Sequence, residues 1–141
     1  MRILVPIDGS ENSLRALRHI VSHHSGSSEG IELHLLNVQL PVASGAVKMF
    51  ISQQQLNDYH RDQGLEALKE ARAIIDGAGL PYHYHIGVGE IAPTIASYAK
   101  EKGCQQIAMG THGRGGLAHA LLGSVATRVI HLTDVPVLLI K

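Results

Sequence analysis

The sequence predicts a single α/β domain, residues 1–141, built on a doubly wound and mainly parallel sheet of five strands. Two observations lead to this prediction. Five short apolar runs alternate with stretches of helical periodicity, which is the pattern of parallel strands covered by helices on both faces. The chain of 141 residues, 45% hydrophobic and 17% charged, is long enough to bury one core, and no run of Pro, Gly or Ser divides it.

The apolar runs and the helical stripes follow one another in a regular order. The predicted strands are residues 2–7, 31–38, 82–86, 104–109 and 135–140. Apolar residues at helical spacing predict four helices, marked by Leu14, Leu17 and Val21, by Leu65, Leu68, Ala71 and Ile75, by Ile91, Ile95, Tyr98 and Ala99, and by Val125, Val129 and Leu132. Residues 39–55 lack a clear pattern and are interpreted as a long loop into the second helix, which is expected to end at Gly77, Gly79 and Pro81.

Composition excludes several classes of partner. Lys plus Arg and Asp plus Glu balance at 12 each, so no net field favours nucleic acid or an anionic membrane. Aromatic residues total 4% and Trp is absent, which argues against a stacking platform for single strands. The single cysteine, Cys104, excludes an intrachain disulfide framework and fits a reducing compartment. No apolar stretch reaches 18 residues and no signal peptide is recognisable, so we expect a cytoplasmic protein without membrane insertion.

A glycine-rich segment after the fourth strand has the features of a phosphate site. It comprises Gly110, Thr111, His112, Gly113, Arg114, Gly115 and Gly116, followed by Gly123, Ser124 and Val125. Glycines let the backbone approach a ligand closely, and successive amides in such a turn form an anion-binding concavity. Since a helix is expected to begin near Ser124, its free amides and positive dipole end face the same place. A flexible surface loop is the alternative interpretation of so much glycine.

The spacing within this segment resembles that of the universal stress protein family, in its ATP-binding branch. The family signature Gly-x2-Gly-x9-Gly-Ser/Thr is matched by Gly110, Gly113, Gly123 and Ser124. The resemblance also covers residues 5–10, 87–89 and 135–140, and so extends along essentially the whole chain. It implies a Rossmann-like fold of the adenine nucleotide alpha hydrolase type.

The resemblance also implies a binding site for ATP. Pro6, Ile7 and Asp8 would line the adenine and ribose side, and the backbone of Val38 would recognise adenine. The ribose and the triphosphate would contact residues of the glycine-rich segment, namely Gly110, Gly113, Arg114, Gly123, Ser124 and Val125. One departure lies at the end of the second strand, where this chain has Asn37 and many members of the family have His.

Two further implications concern a metal and a partner. Asp8 could hold Mg²⁺ beside the phosphates, since a carboxylate is a hard oxygen ligand, although helix capping is an equally good explanation of this residue. A homodimer joined through the last strand is also implied, and an apolar edge there would need covering.

Other motifs are better explained without a ligand. Residues 87–92 read Gly-x-Gly-x-x-Ala, yet residues 107–112 contain no acidic residue for a dinucleotide ribose, so a structural turn is favoured. His83 and His85 share one face of a strand at a spacing that could bind Zn²⁺ or Cu²⁺, but no Cys, Asp or Glu motif completes a site. His112 could hydrogen-bond a phosphate or could simply be exposed.

Three functions remain compatible with these features. The leading one is an ATP-binding regulator of the stress response that changes conformation or partner with nucleotide occupancy. A slow ATPase or a nucleotide-activating enzyme is the second, although no lysine lies between Lys102 and Lys141 to support fast phosphoryl transfer. A nucleotide-free interaction module is the third, and the intact glycine signature argues against it.

Overall fold

Five parallel strands and five helices make up the part of the chain that the computed structural model describes, residues 1–27, 29–42, 45–112 and 122–141. The strands are β1 Arg2–Pro6, β2 Glu32–Gln39, β3 Tyr82–Val88, β4 Gln106–Gly110 and β5 Val137–Ile140. The helices are α1 Glu11–His24, α2 Gly45–Phe50, α3 Gln53–Ala78, α4 Ile91–Glu101 and α5 Ser124–Leu132. The α/β fold predicted from the alternation of strands and helices is confirmed.

The strands form one sheet in the order β3-β2-β1-β4-β5. β1 lies at the centre, where Ile3 is paired with Leu33 of β2 on one side and with Gln106 of β4 on the other. The chain therefore winds outward to β3 and then returns across β1 to build the other half. This reversal between β1 and β4 is the switch point at which open α/β sheets bind ligands.

Alternating side chains of the sheet pack into two separate hydrophobic layers, one on each face. Ile3 and Val5 of β1 point into a layer formed with α1 and α3, which includes Leu17 and Leu68. Leu4, between them, points into a layer with α4 and α5. Because both faces of β1 are covered, its sequence is a continuous apolar run rather than an alternating one.

The segment between β2 and α3 differs from its predicted form. The expectation of a long loop over residues 39–55 was wrong, because α2 spans Gly45–Phe50 and α3 already begins at Gln53. Met49 and Phe50 are 83% and 86% exposed, so the described side chains of α2 form no buried stripe that periodicity could reveal. A capping box between Ser52 and Gln55 marks the start of α3, and this is a local signal rather than a periodic one.

The end of α3 is also shifted from its expected place. Gly77 was expected to take part in ending this helix, but the helix runs through it to Ala78 and is capped by Gly79 in the left-handed conformation, at φ 68°. Although α3 has 26 residues, no helix in the described ranges combines the length and the hydropathy needed to cross a bilayer.

Candidate functional site

A cavity of about 760 Å³ opens at the carboxyl ends of β1 and β4, at the switch point of the sheet. Its volume lies within the range of small-molecule and cofactor sites. Of the residues predicted to bind nucleotide, those in the described part of the chain all line it: Pro6, Ile7, Asp8, Val38, Gly110, Thr111, His112, Gly123, Ser124 and Val125. Gly113, Arg114, Gly115 and Gly116 lie outside the described residues.

The end of β1 supplies the first wall of the cavity. The amide of Ile7 donates to the carbonyl oxygen of Leu36 at 2.8 Å, which extends the pairing of β1 with β2 by one residue. Asp8 follows, and its Oδ1 accepts from the amide of Ser10 at 2.8 Å. The alternative interpretation of Asp8 as the cap of α1 was wrong, because the N-cap is Ser10, whose Oγ accepts from the amide of Ser13. Asp8 thus shapes the turn that precedes the helix.

A buried amide links β1 to β2 at the floor of the cavity. Asn37, only 3% exposed, donates from Nδ2 to the carbonyl oxygen of Ile7 at 2.8 Å. Its Oδ1 accepts from Nε2 of Gln39 at 2.7 Å. This chain of hydrogen bonds satisfies a buried side chain and sets the spacing between Ile7 and Val38, the two residues expected to meet the base.

Two glycines allow backbones to touch where the cavity meets β4. A Cβ built on Gly110 would lie 2.9 Å from the carbonyl oxygen of Asn12 in α1. A Cβ on Gly123 would lie 2.9 Å from the carbonyl oxygen of Thr111 and 3.2 Å from the Cα of His112. The amide of Gly123 donates to that same Thr111 oxygen at 2.6 Å. Residues without a side chain are therefore required where α1 and the start of α5 press against the end of β4.

This close approach brings the start of α5 to the cavity. The N-cap of α5 is Gly123, which has no side chain to cap the helix, while Ser124 and Val125 of its first turn line the cavity. Amides of a first helical turn have no acceptor inside the helix, and the helix dipole adds positive potential at that end. The arrangement is one that attracts an anion, such as a phosphate group, to this end of the cavity.

Side chains near β4 add polar groups to the same wall. Thr111 is 8% exposed, and its amide donates to the carbonyl oxygen of Ile140 at 3.0 Å, which ties the wall to β5. Its Oγ1 lies 3.0 Å from Nδ1 of His112. His112 is half-buried and lines the cavity, so the alternative that it is simply an exposed loop histidine was wrong.

One wall of the cavity was missed by sequence reasoning. Polar side chains of α3 face the switch point: Tyr59, Gln63, Glu66 and Glu70. Their spacing of four, three and four residues places them on one helical face, but a polar face of this kind is also what any solvent-exposed side of a helix shows. The two carboxylates make the α3 wall electronegative, so an anionic ligand would direct its charged part away from it and toward α5.

The whole chain matches a known family. The model of the universal stress protein family matches residues 1–141. Universal stress protein MJ0531 of Methanocaldococcus jannaschii is 33% identical over 141 residues, which cover 99% of this chain and 81% of that protein. Universal stress protein YxiE of Bacillus subtilis is 30% identical, with 99% of this chain and 98% of that protein covered.

Solved structures share the fold closely. That of MJ0577, from the same archaeon, superposes with a TM-score of 0.85 at 28% identity and covers 99% of this chain and 94% of that one. A universal stress protein in complex with cAMP gives a TM-score of 0.73 at 22% identity, covering 100% and 97% of the two chains. An Arabidopsis thaliana member with AMP bound gives 0.68 at 18% identity, covering 100% and 91%.

Proposed function

The chain belongs to the universal stress protein family, and on that premise we propose that its cavity binds an adenine nucleotide, with ATP as the ligand. Nucleotide occupancy would then regulate the conformation or the partners of the protein during stress. The observation that carries the proposal is the contact of 2.6 Å between the Gly123 amide and the Thr111 oxygen, because it holds the open start of α5 against the cavity.

The phosphates fit the α5 end of the cavity. The amides of Ser124 and Val125 belong to the first turn of α5, and the Ser124 hydroxyl adds a donor beside them. Because Gly110 and Gly123 carry no Cβ, α1 and the start of α5 can pack against the end of β4, which brings the first turn of α5 to this end of the cavity. The negatively charged α3 wall, with Glu66 and Glu70, repels the phosphates and so also favours their placement at the α5 end.

The base and the ribose fit the β1–β2 end. Val38 and Ile7 lie beside the hydrogen-bonded Asn37, and Ile91, Ile95 and Met109 give the cavity an apolar lining. An apolar slot with a few fixed polar groups is the usual environment of a bound ring system. Other members of this fold hold cAMP and AMP, which supports an adenine nucleotide at the level of the fold.

Mg²⁺ fits the donor set at Asp8. This ion is usually bound by one or two carboxylates together with phosphate oxygens and water. Asp8 lines the cavity at the end of β1, and its Oδ1 is oriented by the Ser10 amide. Asp8 would hold the ion, which would neutralise charge on the phosphates.

A homodimer through β5 is the second part of the proposal. β5 is an edge of the sheet, and its four residues are half-buried. The carbonyl oxygen of Pro136 accepts from the amide of Ile107 in β4, and that of Ile140 accepts from the amide of Thr111 just after β4. The alternation of a parallel ladder therefore directs the amides of Val137 and Leu139 to the free edge. An apolar edge with unpaired amides is suited to pairing with a second copy.

The experiment combines native ligand analysis with a charge-removing substitution. Protein purified without added ligand is denatured, and any released nucleotide is identified by mass spectrometry; ATP binding is then measured by calorimetry with Mg²⁺ and with EDTA. Asp8→Asn keeps an acceptor for Ser10 but removes the charge, so we expect weaker binding with Mg²⁺ and no weakening with EDTA. Asp62→Asn, at a carboxylate whose side chain is 71% exposed, is the matched control.

Absence of any released nucleotide, combined with no calorimetric binding of ATP, AMP or cAMP, would refute the proposal. If Asp8→Asn and Asp62→Asn changed the affinity for ATP with Mg²⁺ equally, the role of Asp8 would be refuted, but the nucleotide site would not.

A further inference from the structure

Four polar side chains gather on one face of the sheet, at the end opposite the nucleotide cavity. Glu32 and His34 of β2 alternate to the face covered by α4, as do His83 and His85 of β3. The parallel register pairs His34 directly with His83. We call these four residues the histidine cluster. The sequence offered only His83 and His85, and the register supplies the two additional groups from a strand about 50 residues earlier.

Three ligand atoms of the histidine cluster converge. Oε1 of Glu32 lies 2.8 Å from Nε2 of His34 and 3.5 Å from Nε2 of His83. One ligand atom from each residue lies within 4.8 Å of the others. In a tetrahedral site with bonds of about 2.0–2.1 Å, ligand atoms stand about 3.3 Å apart. The two separations from Glu32 lie on either side of that value, and all three atoms lie within 4.8 Å of one another, so side-chain rotations can bring them to one ion.

We propose that Glu32, His34 and His83 bind a divalent transition-metal ion, with Zn²⁺ as the ion whose ligand preferences they suit. Two imidazoles and one carboxylate are borderline ligands that favour Zn²⁺ over Mg²⁺ or Ca²⁺. The side chains of Glu32 and His83 are 36% and 61% exposed, so water reaches the ion and completes its coordination. This site is independent of the proposed nucleotide site, which needs a hard cation.

His85 orients the buried ligand of the proposed site. The side chain of His34 is 7% exposed, and its Nδ1 lies 3.0 Å from Nε2 of His85, with the two rings nearly parallel at 3°. When Nε2 of His34 binds the ion, its proton must reside on Nδ1, and Nε2 of His85 can accept it. A metal-bound histidine whose second nitrogen donates to a neighbour is the usual arrangement around a protein metal ion.

Arg2 competes with the metal for Glu32. Its Nε lies 3.6 Å from Oε1 of Glu32, and its Nη1 donates to the carbonyl oxygen of Lys102 at 3.1 Å. Without metal, Glu32 therefore pairs with Arg2 and with the two histidines. A nearby positive charge disfavours a cation, so removal of Arg2 should tighten metal binding, which a purely structural hydrogen-bond cluster would not predict.

The test uses untagged protein treated with EDTA and dialysed free of it. Calorimetric titration with Zn²⁺ should show one ion per chain, and Co²⁺ should give the visible absorption of a tetrahedral site. We expect His83→Gln and Glu32→Gln each to weaken binding by roughly tenfold or more, and Arg2→Gln to strengthen it. The control is His23→Gln. His23 is also exposed, and its ring centroid lies 4.0 Å from that of His19, so this second pair of imidazoles could compete with the histidine cluster for the ion.

Several results would overturn the proposal. One is the absence of saturable Zn²⁺ binding. Another is a loss of Zn²⁺ affinity in His23→Gln equal to the loss in His83→Gln. The third is a weaker affinity of Arg2→Gln for Zn²⁺. Circular dichroism checks that each variant is folded. Because His83 and Glu32 are tested separately, one unfolded variant leaves the other as a decisive measurement.

Discussion

Replacing Gly123 with alanine tests whether the contact between α5 and β4 builds the site. The new Cβ would lie 2.9 Å from the Thr111 oxygen, whereas ordinary contacts begin near 3.4 Å. The start of α5 must therefore retreat by about 0.5 Å from the end of β4. The backbone angles of Gly123, φ −68° and ψ 162°, are open to alanine, so the effect is purely steric.

Gly123→Ala should lower both the free energy of unfolding and the affinity for ATP. Overpacking of this kind destabilises proteins by about 1–3 kcal/mol. Displacement of the α5 amides would weaken one charge-assisted hydrogen bond to a phosphate, worth about 1.5–3 kcal/mol, or roughly 10–100-fold in affinity. We expect both effects, measured as the free energy of unfolding in urea and as the dissociation constant for ATP by calorimetry.

Gly30→Ala is the matched control for this substitution. A Cβ on Gly30 meets no atom within 4 Å, so its stability and affinity should equal those of the unaltered chain within about 0.5 kcal/mol. If Gly123→Ala were as stable as Gly30→Ala, the steric reasoning would be refuted. If it were destabilised but bound ATP with unchanged affinity, the start of α5 would not be a phosphate site.

Three further outcomes are expected from other parts of the molecule. Gly64→Ala should lower the free energy of unfolding by about 1–3 kcal/mol because its Cβ would lie 2.7 Å from Ile86. Gly77→Ala in the same helix, with nothing within 4 Å, should raise it by about 0.5–1 kcal/mol; urea denaturation showing the same sign for both would contradict this. Burial raises the pKa of the Cys104 thiol, so at pH 8 iodoacetamide should react more slowly with the native than with the unfolded chain, and equal rates would count against it. Leu139→Pro removes an outward amide of β5, and light scattering should find a monomer where the unaltered chain is a dimer; a folded variant that still dimerises would exclude this edge.

The fold was predictable because it depends on apolar periodicity. Strands buried on both faces, such as the one containing Ile3, Leu4 and Val5 at 0% exposure, leave continuous apolar runs in the sequence. Helices packed on one face leave stripes such as Leu68, Ala71 and Ile75. Where the large apolar side chains of a helix are exposed, as Met49 and Phe50 of α2 are, they do not mark a buried face in the sequence, and the prediction of a loop was wrong.

The site was predictable only in part. The spacing of Gly110, Gly123 and Ser124 placed residues at a strand end and a helix start, and the structure brings them to one cavity with Asp8. Whether they bind nucleotide stays a prediction. The α3 wall with Glu66 and Glu70 was not predicted, because nothing local in a polar helical face tells which cavity it will border.

By itself, the sequence determined the α/β class, the family and the position of the glycine-rich segment, because each depends on residues near one another in the chain. Only the tertiary structure decided which distant groups meet. The strand order brings Asp8 and Gly110 to one switch point, and the register of β2 with β3 sets His34 beside His83. A shift of that register by one residue would turn the side chains of β3 to the other face. Such pairings are properties of strand register and order, which long-range packing selects.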